Sequence, residues 1–215
     1  MAFTYASICD GIGAIHVAVA PLAWQCRWVS EIEPFCNAVV EHHWGFKNLG
    51  DMTKITKEQA NEHGPIDLVC GGTPCQSFSV AGLRKGMVDP RGNLALIFLR
   101  LVDYCQPRWV LWENVPGVLS SNQGRDFGAF LGALDQLGYG FAYRVLDAND
   151  YGVPLLRERV IVVGHPDWRC AAAVLFAKAT LDWIGTPRSQ RGAHVSASSI
   201  TTHGQRASCG ETFVL

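Results

Sequence analysis

Six short runs rich in β-branched and aromatic residues punctuate this chain: TYASIC at 4–9, CRWVSE at 26–31, IDLVCG at 66–71, RWVLWE at 108–113, GFAYRVLD at 140–147 and ERVIVVG at 158–164. Apolar runs of that length read as strands, and the longer amphipathic segments near 13–23, 34–43, 92–105 and 125–137 read as helices. Strands alternating with helices predict an α/β protein with a doubly wound, Rossmann-like, mostly parallel sheet. Between the last two strands lie only residues 148–157, with Gly152 and Pro154. That is too short for a parallel crossover, so these two strands are expected to form an antiparallel hairpin at the sheet edge.

A chain of 215 residues that is 48% hydrophobic can bury a full core. Its 18 Lys and Arg against 19 Asp and Glu exclude a general basic coat for nucleic acid or an anionic membrane. The balance is uneven along the chain. Residues 1–167 carry 13 basic and 17 acidic side chains, and residues 168–215 carry 5 and 2, so the last segment is expected to be a separate region. The opening Met1–Ala6 has no basic stretch and Asp10 interrupts the apolar run, which reads as a cytoplasmic protein without a signal peptide; no run is long enough to span a bilayer. The eight cysteines contain no CxxC pair and are read as reduced thiols, with no metal site expected.

Four motifs sit at strand ends, where open α/β sheets bind ligands. Cys9-Asp10-Gly11-Ile12-Gly13 follows the first strand, and glycines there let a backbone approach a ligand closely. Glu31 ends the second strand, placed to accept from ribose hydroxyls, and Asp51 follows a further strand candidate at 45–49, placed to accept from an exocyclic amine. Position 16 is His where a dinucleotide fingerprint has its third glycine. Acid at both tips favours an uncharged or cationic adenosyl ligand, S-adenosylmethionine over NAD. Gly72-Thr73-Pro74-Cys75-Gln76-Ser77-Phe78-Ser79 places a thiol at the crevice, either as a nucleophile or as a buried inert cysteine. Glu113-Asn114-Val115 follows the apolar run 109–112 and reads as a carboxyl whose proton is held by desolvation, or as a solvated strand end. Arg157-Glu158-Arg159 opens the last strand, with strand alternation sending both arginines to one face as an oxyanion or carbonyl clamp, or as a surface ion-pair network.

In this order and spacing, from Tyr5 to about His165, the four motifs resemble the C5-cytosine DNA methyltransferases, and the opening segment looks like phage and prophage members. GGTPCQSFSVAGLRKGMVDPRGN is similar to that family's nucleophile motif and mobile loop, LWENVPG to its acidic motif, and DANDYGVPLLRERVIVVG to its arginine motif and closing hairpin. The resemblance implies a Rossmann-like methyltransferase sheet, methyl transfer from S-adenosylmethionine to double-stranded DNA, and a cytosine flipped into the crevice. It implies that Cys75 attacks carbon 6, Glu113 protonates or hydrogen-bonds ring nitrogen 3, Arg159 holds O2, Arg157 supports the geometry, and Asn114 orders the loop bearing Pro74 and Cys75. On the cofactor side it implies Cys9, Asp10, Gly11, Ile12, Gly13 and Ala14 at the methionine end. Glu31 would lie at the ribose, Ile32, Asp51 and Met52 at the adenine, and Pro74 and Leu94 would close the pocket. Gln76, Ser79, Arg84, Lys85 and Arg91 would contact DNA, the basic residues through phosphates.

The sequence departs from the family pattern at Cys9, where Phe is usual, at Ile32, where an aromatic residue often covers the adenine, and at Leu155, where Gln precedes the arginines. Family members continue into a target-recognition domain and return with a closing helix. Residues 1–167 are therefore expected to be the catalytic domain and 168–215 the start of an incomplete target-recognition region, as a fragment or as one part of a split enzyme with a second chain. Such a chain is expected to bind the cofactor weakly and methylate DNA poorly on its own. A non-catalytic DNA-binding or regulatory remnant and an NAD-linked oxidoreductase are the competing readings.

Overall fold

The computed structural model describes residues 2–74 and 94–176. Six strands, β1 (Thr4–Ile8), β2 (Gln25–Ser30), β3 (Leu68–Gly71), β4 (Trp109–Asn114), β5 (Gly140–Asp147) and β6 (Glu158–His165), form one sheet in the order β2-β1-β3-β4-β6-β5. Strands β2, β1, β3 and β4 pair in parallel, whereas β6 is antiparallel to both β4 and β5. The expected doubly wound sheet with an edge hairpin is therefore present, and β6 is its one reversed strand.

Period-two alternation sorts the strand residues onto two faces. Ala6, Ile8, Val69, Val110, Trp112, Val160 and Val162 point into the larger core with helices α4 (Leu94–Cys105) and α5 (Arg125–Gln136), where Trp112 stacks on Phe130 at a centroid distance of 4.3 Å. Tyr5, Leu68, Cys70, Trp109 and Val163 point the other way, with Val19 of α1 (Ala14–Val19) and Cys170, Ala171 and Leu175 of α6 (Trp168–Leu175). Helix α2 (Pro34–Trp44) starts with Pro34 in its first turn, where a missing N–H costs nothing, and ends at Gly45, whose left-handed φ of 62° lets its N–H reach Val40 and Glu41.

Three expectations need correcting. Residues 45–49 form no strand; they contribute a single parallel bridge, Val29 to Asn48. The helix expected over 13–23 divides into α1 and a 3₁₀ turn at Ala20–Leu22, because Pro21 removes a donor and blocks continuation. Two short helices were not foreseen, α3 (Lys57–Asn61) and α6. The charge change near Trp168 does not coincide with the edge of the packed body, since α6 lies on β5 and β6 and adds to their core. Among the described residues, no helix is long and apolar enough to cross a membrane, and no three His, Cys, Asp or Glu side chains converge as a metal site.

Cys9, Cys26, Cys36, Cys70 and Cys105 are free thiols. Burial pushes Cys9 up to about 11, with a smaller push from Glu31, and pushes Cys26 and Cys105 up to about 12. A thiol raised in the folded state contributes stability that is full below the unfolded thiol pKa and is lost as pH climbs toward the folded value. The unfolding free energy is therefore expected to fall steadily from about pH 9 to pH 11, by up to about 1.4 kcal/mol per pH unit per group, and the melting temperature to fall with it. A scan calorimetry series at constant ionic strength checks this, and a melting temperature flat across that window contradicts it.

Candidate active site

The carboxyl ends of β1 to β4 and the start of β6 converge on one rim of the sheet. At the end of β1 the chain turns sharply: Cys9, Gly11 and Gly13 have φ of 53°, 57° and 81°. Space in front of Gly11 is open, as a Cβ there would meet nothing within 4 Å. Gly13 is different, since a Cβ would come within 2.7 Å of the His16 ring and 2.8 Å of Trp44. Its lack of a side chain serves helix packing. The first two residues of α1 include Ala14, so the turn runs directly into the helix N-terminus.

Glu31 is buried at the tip of β2 and faces this turn. Its Oε2 accepts from Gly11 N–H at 2.7 Å, and its Oε1 accepts from the N–H groups of Ile32 at 2.7 Å and Glu33 at 2.9 Å. A carboxylate offers about four acceptor sites, so with three backbone donors in place Oε2 keeps capacity for one further hydroxyl. Ile12 and Ile32 are exposed beside it, at 55% and 65%. Asp51 accepts from both the N–H and the hydroxyl of Thr53, and these bonds hold its carboxyl below the usual range; its other oxygen lies 3.5 Å from Lys54. Met52 is buried, receiving the Cys9 thiol at 3.6 Å between sulfurs. Acidic acceptors and exposed apolar walls around an open backbone turn suit an adenosyl ligand bearing a positive charge and oppose one bearing phosphates.

Asp10 does not face that space. Its carboxylate is fully buried, 2.8 Å from Nε2 of a buried His16 and accepting from the Ser7 hydroxyl. Ser7 and His16 enclose it from behind, so what Asp10 presents to the space before Gly11 is backbone.

On the other half of the rim, β3 runs into Gly71-Gly72-Thr73-Pro74. Trp112 Nε1 donates to the Thr73 hydroxyl at 3.1 Å, and Asn114 Nδ2 donates to the Thr73 carbonyl at 2.8 Å. Asn114 thus anchors the residue before Pro74, as its motif suggested. Glu113 projects from β4 on the opposite face to Trp112 and Asn114, and its Oε1 receives Arg159 Nε at 2.7 Å. A Cβ on Gly72 would stand 2.6 Å from Glu113 Oε2, so the bare glycine backbone gives the carboxylate room to lie over it.

The expected apolar enclosure of Glu113 is not found. Its side chain is 38% exposed: strand alternation turns it away from Trp112, and Trp109, on its own face, lies four residues back along the strand. Arg159, 24% exposed, also donates Nη1 to the Glu158 carbonyl at 2.7 Å. Arg157 precedes β6; its backbone N–H donates to Asp147 at 3.2 Å, and its guanidinium has no partner among the described residues. Leu155 is 53% exposed, and Leu94 opens α4 partly buried against the core. Pro74 is exposed at the end of the described segment. Cys75, Gln76, Ser79, Arg84, Lys85 and Arg91 lie outside the described residues.

The sequence model of the C-5 cytosine-specific DNA methylases matches residues 3–173. The chain belongs to this family. A Picosynechococcus relative, Type II methyltransferase M.AquIA, is 44% identical over 74% of this chain and 70% of its own length. A protein of Escherichia phage P1 named DNA N-6-adenine-methyltransferase is 38% identical over 74% of this chain and 28% of that protein. Type II methyltransferase M.HhaI of Haemophilus parahaemolyticus is 33% identical over 71% and 46%. The chain spans less than half the length of the phage P1 and Haemophilus relatives. The S. pombe Dnmt2 methyltransferase superposes with a TM-score of 0.62 at 19% identity, over 77% of this chain and 50% of its own, and shares the fold.

Within this methylase-family sheet, Thr73, Gly72 and Trp112 are site residues that motif reading left without roles. Alternation along β4 offered a signal for Trp112 and Asn114 sharing a face. The contact of Thr73 with both depends on β3–β4 register, with Gly71 opposite Trp112, which no local pattern reveals.

Proposed function

We propose that this chain forms the catalytic part of a DNA (cytosine-5-)-methyltransferase, acting on a cytosine flipped out of double-stranded DNA through a covalent adduct at Cys75. The observation that supports it best is the Glu113–Arg159 pair at 2.7 Å, set over Gly72 on the rim where Asn114 tethers the segment entering Cys75. In this reading the Cys75 thiolate attacks carbon 6 of the ring, forming the S–C bond while the C5=C6 electron pair shifts toward carbon 5 and N3. Glu113 delivers a proton or hydrogen bond to N3. Arg159, with guanidinium donors left after its bonds to Glu113 and Glu158, holds O2, and Arg157 lies beside it. After transfer, loss of the carbon 5 proton drives out the Cys75 thiolate and restores the aromatic ring. A free thiol is only a few per cent ionised near neutrality, so Cys75 needs local activation or coupling to the proton given at N3.

S-adenosylmethionine, bound at the other half of the rim, would supply the electrophilic methyl group. Cys9 to Ala14 would hold its methionine end through the turn backbone, Glu31 its ribose hydroxyls, and Ile32, Asp51 and Met52 its adenine, with Pro74 and Leu94 closing the pocket. Gln76, Ser79, Arg84, Lys85 and Arg91 would contact DNA. The catalytic unit would comprise residues 1–167 with α6, and bases would be read by a region begun in the remaining residues or carried on a second chain. Cytoplasmic conditions would keep the nucleophile reduced.

The test uses a mixed-sequence duplex carrying 5-fluorocytosine, which blocks the final proton loss. Under single-turnover conditions with S-adenosylmethionine, a denaturant-stable adduct at Cys75 is expected, absent in Cys75→Ala. S-adenosylhomocysteine binding without any adduct would instead support a non-catalytic remnant. The name of the phage P1 relative favours a second reading, transfer to the adenine amino group. That chemistry needs no thiol adduct, and a nucleoside digest separates 5-methylcytosine from N6-methyladenine.

A further inference from the structure

The turn carrying Gly11 is braced from behind by a ring of buried polar side chains. Ser7 donates to Asp10 Oδ1, Asp10 Oδ2 lies 2.8 Å from His16 Nε2, and His16 Nδ1 lies 2.7 Å from the Tyr5 hydroxyl. Tyr5 and Ser7 stand on the same face of β1, two residues apart, so the strand closes the ring. Asp10 is the acceptor in both its contacts. His16 therefore donates to it through Nε2–H, and Nδ1 is left to pair with the Tyr5 hydroxyl.

The His16 ring is fixed in turn by Trp44 at 5.1 Å and Phe46 at 4.8 Å, both edge-on, and by Gly13, which leaves no Cβ in its way. Every side chain in the ring is buried, and none faces the open space before Gly11. The backbone between its members carries three positive φ values in five residues; Gly11 and Gly13 adopt them freely, and Cys9, at 53°, is the one held there against the preference of a side-chain-bearing residue. Asp10 supplies part of that support through its main chain, accepting from Gly13 N–H at 3.1 Å while the Cys9 N–H bonds Ser30 at 2.8 Å.

We infer that Asp10 and His16, with Tyr5 and Ser7, are positioning residues for the cofactor-binding turn, acting through its backbone without touching the ligand. The ring ties β1, the turn and the first turn of α1 into one unit, and so sets where the Gly11 N–H stands against Glu31. Glu31 takes three backbone donors, one of them Gly11, so a displaced turn also frees its carboxylate. The inference rests on the reading of Gly11 and Glu31 as the cofactor half of the site.

The experiment measures S-adenosylhomocysteine affinity of the whole chain by titration calorimetry, well below each variant's melting temperature. Asp10→Ala and His16→Ala each leave buried partners unpaired and are expected to weaken binding about tenfold, and the double variant no more than either alone. Asp10→Asn, whose amide can accept from one neighbour and donate to the other, is expected to recover affinity to within about threefold of wild type. Leu134→Ala, a core truncation on the opposite face of the sheet, is expected to lower the melting temperature and leave affinity unchanged, which a merely structural ring would not distinguish from Asp10→Ala. Should Asp10→Ala fail to fold, Tyr5→Phe deletes one hydroxyl and is expected to weaken binding about threefold. Wild-type affinity in Tyr5→Phe and in the Asp10 variants overturns the inference. No binding by the wild-type chain overturns the cofactor reading itself, an outcome recognised before any variant is made.

Discussion

Glu113→Gln is expected to slow adduct formation with a 5-fluorocytosine duplex by about 10²- to 10⁴-fold, the range for removing a positioned proton donor. The substitution keeps the shape of the side chain and its reach to Arg159 Nε, now 2.7 Å from Oε1, and it keeps the contact over Gly72. What it removes is a proton that can pass to ring nitrogen 3 as Cys75 attacks. S-adenosylhomocysteine affinity is expected to stay within about twofold, because Glu31 and the Gly11 turn lie at the other half of the rim. A quench-flow series separates the two quantities. An unchanged rate would remove Glu113 from the chemistry and leave the pair with Arg159 as a structural tie.

The second large effect is on stability. Trp112→Ala is expected to cost about 3–5 kcal/mol, since the side chain is fully buried and stacks on Phe130 at 4.3 Å and Phe127 at 6.4 Å. Against a total of about 5–15 kcal/mol, that brings the chain near its unfolding threshold. Trp112→Phe keeps part of the stacking surface and loses the indole N–H to Thr73 together with the volume of the second ring, for about 1–3 kcal/mol. Urea denaturation gives both values. The Phe variant carries a second signature: Thr73 is held by Trp112 and Asn114 alone among the described residues, so loosening it should lower adduct yield beyond what the stability loss accounts for. Equal stability of Trp112→Ala and wild type would show that the β4 core packing is not what holds this sheet together.

The strands were legible as short apolar runs, β1 and most of β3 being buried at every position, and the reversed direction of β6 followed from the ten residues that join it to β5. The 45–49 segment has the same composition as a short strand, yet Gly45 and Gly50 both adopt positive φ and leave room for a bridge only. Helix α3 is polar apart from the buried Ala60, so no apolar period marks it; its signal was the Thr56–Gln59 capping box, with Thr56 accepting from Gln59 N–H and Gln59 from Thr56 N–H. Helix α6 was hidden by a change in charge that belongs to the residues around it, while Cys170, Ala171 and Leu175 pack inward.

In the site, motif positions were readable and their environments were not. The apolar run before Glu113 suggested desolvation, but its immediate neighbour Trp112 points to the opposite face, and its ion-pair partner sits 46 positions later on β6. Asp10 stood in a ligand-binding turn by sequence, and only the fold shows that His16 and Ser7 draw its carboxylate inward. Non-local pairing sets both environments, which residue type and spacing alone do not reveal.

Helix α6 also settles the direction in which the chain leaves the sheet. Its first residue lies against Gly140, opposite His165 at the far end of β6, and the residue that ends it, Phe176, lies 5.9 Å from Arg144. Eight helical residues advance about 12 Å, matching the roughly 13 Å that β5 covers from Gly140 to Arg144. Arg144 is level with Ile161, which is itself opposite Glu113. Strand β6 carries the polypeptide away from the rim and α6 brings it back, so Phe176 stands level with the strand positions that carry Glu113 and Ile161, at the rim rather than at the opposite end of the sheet.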